Sequence, residues 1–143
     1  MPAVLVDIAQ AVVEDLNAQP FSQAFTAVRS YVPRAALEDL DVLRVSVVPR
    51  STRPGLAARG RRQREVAIDV GIQRRLADPD NLAEIDALVA FVEEVVDSLE
   101  GRRLTAAGAG FLEIENEPAV AVEHLDQKGV FTSVITVRYR AWR

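Results

Sequence analysis

The sequence predicts an α+β fold: a mainly antiparallel (mixed) sheet with two helices packed on one face, in the order α-β-β-β-α-β-β-β. Three observations predict it. Residues 3–18 and 82–99 carry apolar side chains at three- and four-residue steps, the spacing of a helix with one buried face. Several shorter runs alternate apolar and polar residues, as strands with one covered face do. The chain has 143 residues, 49% hydrophobic and 27% charged, so 1–143 is expected to be a single domain that buries a core without disulfide or metal.

The elements follow in order. In 3–18, Val4, Leu5, Ile8, Val12 and Leu16 form the apolar stripe, Asp7, Glu14 and Asp15 lie elsewhere on the wheel, and Pro20 ends the run. Residues 24–32 are rich in β-branched and aromatic types and close at Pro33, which predicts a strand. Residues 35–40 suit a short helical turn. In 42–48, Leu43, Val45 and Val47 share a face opposite Arg44 and Ser46, and Pro49 stops the strand. Val66, Ile68, Val70 and Ile72 alternate in the next strand. The two strands read as a hairpin joined by an unusually long connection, 50–64, of the kind that tends to be functional or mobile.

The second helix carries the clearest signal. Asn81 can cap it, with Glu84 three residues on as in a capping box. Leu82, Ile85, Leu88, Val89, Val92, Val96 and Leu99 then form one stripe, and Gly101 ends it. Residues 111–115 and 119–123 are expected as short strands and 126–129 as a turn. The final strand is 130–142, with Phe131, Ile135, Val137 and Tyr139 on one face and Thr132, Thr136, Arg138 and Arg140 on the other.

Composition excludes much chemistry. There is no cysteine, which removes disulfides, thiolate metal sites and thiol nucleophiles. The single histidine, His124, excludes a two-histidine metal site within one chain. No apolar run is long enough to span a bilayer, and the first residues do not read as a signal peptide, so the expectation is a protein acting in a reducing cytoplasm.

No phosphate-loop, dinucleotide, zinc-protease or serine-hydrolase motif occurs. Gly108 and Gly110 precede a strand, whereas a phosphate cradle needs glycines running into a helix. Glu113 and Glu115, with Glu117 and Glu123, read as solvated residues rather than an acid–base pair. His124 reads as an ordinary surface residue at a strand end. Asp69 lies mid-strand, opposite the apolar face, toward solvent or a neighbouring subunit. The chain is therefore expected to be no enzyme, with no catalytic, metal-binding or cofactor-binding residue and no cofactor.

The net charge of −4 hides one sharp asymmetry. Residues 50–64 hold Arg50, Arg53, Arg59, Arg61, Arg62 and Arg64 without a single acid, while the rest of the chain is acidic. Such a stretch can be a solvated loop, a phosphate-binding loop, or a protein contact. It lacks an aromatic residue for base stacking. Acidic excess over 65–103 makes self-complementary assembly plausible, and the six arginines are the expected interface.

This arrangement resembles the tail terminator (tail completion) proteins of long-tailed bacteriophages. The resemblance rests on the amphipathic first helix, the long hairpin connection, the strand from Val66 to Ile72 leading through an acidic break into helix 82–99, and the closing strand from Val134 to Arg140. It implies a non-enzymatic virion structural protein with no membrane partner. Such a subunit assembles with itself into a ring, a hexamer in the family, that caps the tail tube and joins it to the head-side connector. Its partners are tail tube protein and a connector or stopper protein, with DNA at most passing through the ring. The location implied is the tail and neck of the virion, after assembly in the host cytoplasm. The alternatives are a head-completion or stopper neck protein and, from a different class, a small nucleic-acid-binding module using 50–64.

Overall fold

The computed structural model describes residues 3–32, 40–58 and 60–142. Its elements are α1 (Val4–Ala18), β1 (Ala27–Arg29), β2 (Arg44–Ala58), β3 (Arg61–Arg75), α2 (Leu82–Leu99), β4 (Ala109–Asn116), α3 (Val122–Lys128) and β5 (Val130–Trp142). The α+β class stands. Five strands form one mixed sheet in the order β1-β2-β3-β5-β4, antiparallel except that β1 runs parallel to β2.

One face of this sheet is apolar. Val45 and Val47 of β2, Val66, Ile68, Val70 and Ile72 of β3, and Ile135, Val137 and Tyr139 of β5 belong to a single buried cluster. Ile8, Val12 and Leu16 of α1 enter the same cluster, as do Leu88, Phe91, Val92, Val95 and Leu99 of α2. Asn81 caps α2 by accepting from the backbone N–H groups of Ala83 (3.1 Å) and Glu84 (3.4 Å). Glu84 turns instead to the Ala77 N–H at 3.3 Å.

Several expectations are corrected. Residues 50–64 are not a long loop. β2 and β3 are 15 residues each, their pairing runs through Ser51↔Ala67, Arg53↔Glu65, Pro54↔Arg64 and Ala58↔Arg61, and only Arg59 and Gly60 separate them. Gly60 has a φ of +78°, which a tight hairpin turn favours and side-chain-bearing residues adopt at a cost. Pro49 did not stop the strand because β1 covers β2 only as far as Val47. A proline on an outer edge lacks only an N–H that no neighbouring strand uses, and register shifts beside Pro49 and Pro54 absorb the rest. Gly55 also has a packing reason, since a Cβ there would stand 3.2 Å from the Gln63 side chain.

The expected strand at 119–123 is likewise absent. The Ala121 N–H donates to the Thr132 carbonyl and the Val134 N–H to the Pro118 carbonyl, so the chain runs briefly beside β5. It then turns into α3, which half-buries Leu125 and ends at Gly129 with φ +62°. The observed order is α-β-β-β-α-β-α-β, with 126–128 helical rather than a turn. The helical turn expected at 35–40 lies, apart from Leu40, outside the described residues. No helix among the described residues is long and apolar enough to cross a membrane.

Candidate functional site: the open sheet face and the arginine hairpin

Side chains alternate across a strand, so the residues between the core positions of β2, β3 and β5 point to the second face. There the cross-strand register stacks charges in rows. Arg140 pairs with Glu65, which pairs in turn with Arg53. The Glu65 carboxylate accepts from Arg53 Nη2 at 2.7 Å and lies 3.5 Å from Arg140 Nη2. The Arg53 hydrogen bond is the main reason its carboxyl is held below the ordinary value, with Arg140 adding to it and partial burial opposing.

A second row centres on Asp69. Thr136 Oγ1 donates to it at 2.7 Å, and Arg50 Nη1 approaches both Asp69 (3.5 Å) and Thr136 Oγ1 (3.2 Å). A third pair, Arg138 with Glu113 at 2.9 Å, joins β5 to the edge strand β4. Arg50, Glu113, Glu115, Thr136 and Arg138 surround a hollow of about 130 Å³. Four arginines and four carboxylates make the patch neutral overall. Exposed pairs of this kind hold side-chain positions more than they add stability.

The six arginines of 50–64 therefore separate. Arg50 and Arg53 lie on the open face and are engaged by Asp69 and Glu65. Arg62 is exposed and Arg64 half-exposed, and neither has a carboxylate partner among the described residues. The Arg61 backbone pairs with Ala58; its side chain, like all of Arg59, lies outside what is described. The rungs Ala57↔Arg62 and Ala58↔Arg61 continue past the last β3–β5 pair, Gln63↔Trp142, so the turn forms a tip beyond the described end of β5.

Other candidates take plainer places. Asp69 faces the open side, as alternation requires, and has the cation that sequence reasoning did not supply. Glu113 and Glu115 are exposed on β4, while Ile114 between them packs against the core. His124 sits in α3 rather than at a strand end, its Nδ1 2.9 Å from Thr132 Oγ1. Gly108, with φ +64°, ends a 3-10 turn at Thr105–Ala107 and leads into β4. Burial and the nearby Asp15 push the Tyr139 hydroxyl well above its ordinary value, so it stays protonated within the core. Among the described residues no group of three or more histidines or carboxylates can hold a metal ion. No known family model matches the chain, and no curated protein matches it.

Sequence reasoning missed Glu65, Thr136, Arg138 and Arg140 as partners of the arginine stretch. Alternation in β5 places three of them on one face, but only the β3–β5 register brings that face beside Arg50 and Arg53.

Proposed function

We propose that this chain is a virion assembly protein that works by binding other proteins and catalyses no reaction. It resembles a tail terminator that forms a ring on the tail tube and joins it to the head-side connector or stopper. The observation that supports this most is the β2–β3 hairpin. Its tip reaches past the sheet, and its near half is held by Arg50–Asp69 and Arg53–Glu65. A stiffened arm whose outer part carries Arg62 and Arg64, without carboxylate partners among the described residues, suits contact with an acidic protein surface. The interface proposed for the arm is thus its tip, Arg59, Arg61 and Arg62, with Arg64 just inside it beside β5 and with Arg50 and Arg53 bracing it. Ring formation, tube and connector as partners, DNA in passing and a place in the virion neck follow from the resemblance. A head-completion or stopper protein at the adjacent position is the alternative within the same class.

A nucleic-acid-binding module is the reading from another class, and the exposed Arg62 is what favours it. Neutralisation of Arg50 and Arg53 by the protein's own carboxylates works against it, because fewer cations remain for phosphates. The test is antibody labelling of intact virions viewed by electron microscopy. Label confined to the head–tail junction is expected; label absent from particles, or spread along the tail, overturns the proposal.

A further inference from the structure

The sheet ends in two edges of opposite character. At one end stands β1, three residues long, with no strand on its outer side among the described residues. The α1 residue Asn17 occupies the first rung, donating to the Ala27 carbonyl at 3.1 Å and accepting from its N–H at 2.7 Å. Beyond that plug, Val28, Tyr31, Val32 and Val42 are 53%, 66%, 48% and 60% exposed. They are four of the seven large apolar side chains exposed among the described residues, gathered at one edge. Val28 and Val42 also line a groove of about 460 Å³ with Phe25, Leu43 and Arg44. The stretch 21–32 contains Arg29 and no acid.

The opposite edge is β4. Its first rung is also plugged, by two backbone hydrogen bonds between Leu104 and Ala109. From 111 to 116 no strand lies on its outer side among the described residues. Glu113, Glu115 and Glu117 are exposed at two-residue steps, residues 109–121 contain no base, and Glu115 has no cation partner among the described residues. Phe111 and Leu112 before them and Ile114 between Glu113 and Glu115 are half-buried.

Open strand edges and clustered exposed apolar side chains each favour being covered. Two β4 edges brought together would repel through their glutamates, and two β1 edges would set Arg29 against Arg29. Only the unlike pair matches in charge. We infer that the β1 edge of one copy seats against the β4 edge of a second copy, burying Val28 and Val42 and facing Arg29 with Glu115 and Glu117. The two edges lie at opposite ends of the sheet, so each copy offers one of each. A repeated head-to-tail contact follows, and it closes into a ring when its rotation divides a full turn. This rests on the self-assembly part of the proposed function and locates the contact away from the arginine tip.

The absence of cysteine allows a clean test. Val28→Cys and Glu115→Cys, both at exposed positions, are made singly and together and treated with a short bis-maleimide. The double variant should give a ladder of covalent dimers, trimers and higher species. Each single variant should remain monomeric on a denaturing gel, and an equal mixture of the two should stop at dimers. In a second arm, Val28→Glu should raise the concentration needed for assembly at least about tenfold, and adding Glu115→Lys should restore it. Crosslinked dimers of Val28→Cys alone, or no ladder while the unmodified protein still assembles in the ultracentrifuge, overturns the edge contact and leaves the proposed function standing. No ladder and no assembly at any concentration overturns both.

Discussion

Phe91 ties the second helix to the segment that carries β1, and its removal should show how much that link contributes. The ring is fully buried on α2, 5.3 Å from the Phe25 ring and 5.9 Å from the Phe21 ring, both edge-on, while Phe21 and Phe25 stand 5.4 Å apart. Phe21 and Phe25 lie between α1 and β1, so the trio helps set where the β1 edge stands. Phe91→Ala leaves a cavity that close-packed neighbours fill only in part, at a cost of ~3–5 kcal/mol. Two edge-to-face contacts, worth ~0.5–1.5 kcal/mol each beyond burial, place the loss in the upper part of that range. Domains of this kind are stable by ~5–15 kcal/mol, so the variant should fold but melt early. With an unfolding entropy of ~2.1 cal/mol/K per residue over 143 residues, a loss of ~4 kcal/mol lowers Tm by ~13 °C. Urea unfolding followed by circular dichroism measures the loss. A double-mutant cycle of Phe25→Leu with Phe91→Leu should add a coupling of ~0.5–1 kcal/mol. A loss below ~1.5 kcal/mol, or strict additivity of the pair, would refute the reasoning.

Three further outcomes are expected. Asn81→Ala removes the acceptor for the Ala83 and Glu84 N–H groups and should cost ~1 kcal/mol in the same urea assay. Glu65 is held below its ordinary value, so its stabilising effect is full above the ordinary carboxylate range and is lost as pH falls through the lowered value. The wild type should therefore be more stable than Glu65→Gln near neutrality, with the difference shrinking as the medium is acidified; a difference independent of pH would contradict this. Changing Arg59, Arg61 and Arg62 together to Glu should shift stability by no more than ~0.5 kcal/mol per site, since Arg62 is exposed at the hairpin end. The same variant should lose the junction label in virions, and normal labelling would show that the tip is only a solvated surface.

Much of the fold was legible in the residues because burial imposes a period. Helices α1 and α2 and strand β5 carry unbroken periodic apolar patterns, and their observed bounds agree with the expected ones to within a residue. Strands β2 and β3 were longer than expected because Pro49 reads as a breaker. A proline breaks a strand only where a neighbouring strand needs the missing N–H, and among the described residues β2 has no such neighbour past Val47. Helix α3 was hidden because Val120 and Val122 alternate like strand residues over a segment too short to reveal a helical period. The arginine stretch was visible from charge alone. Its division into members with and without a carboxylate partner among the described residues was not, because Asp69 and Glu65 meet Arg50 and Arg53 only through the hairpin register. The apolar β1 edge was equally hidden, since 24–32 reads as a long strand whereas only Ala27–Arg29 pairs.

The central claim is that this subunit works by repeating one contact between copies. The most direct test is native mass spectrometry of the purified wild-type protein, with negative-stain images of the same sample. The expected result is one closed species whose mass is a fixed multiple of 15.7 kDa, seen as rings with a central opening. Monomers at every concentration, or a continuous series of sizes that grows with concentration, would contradict it.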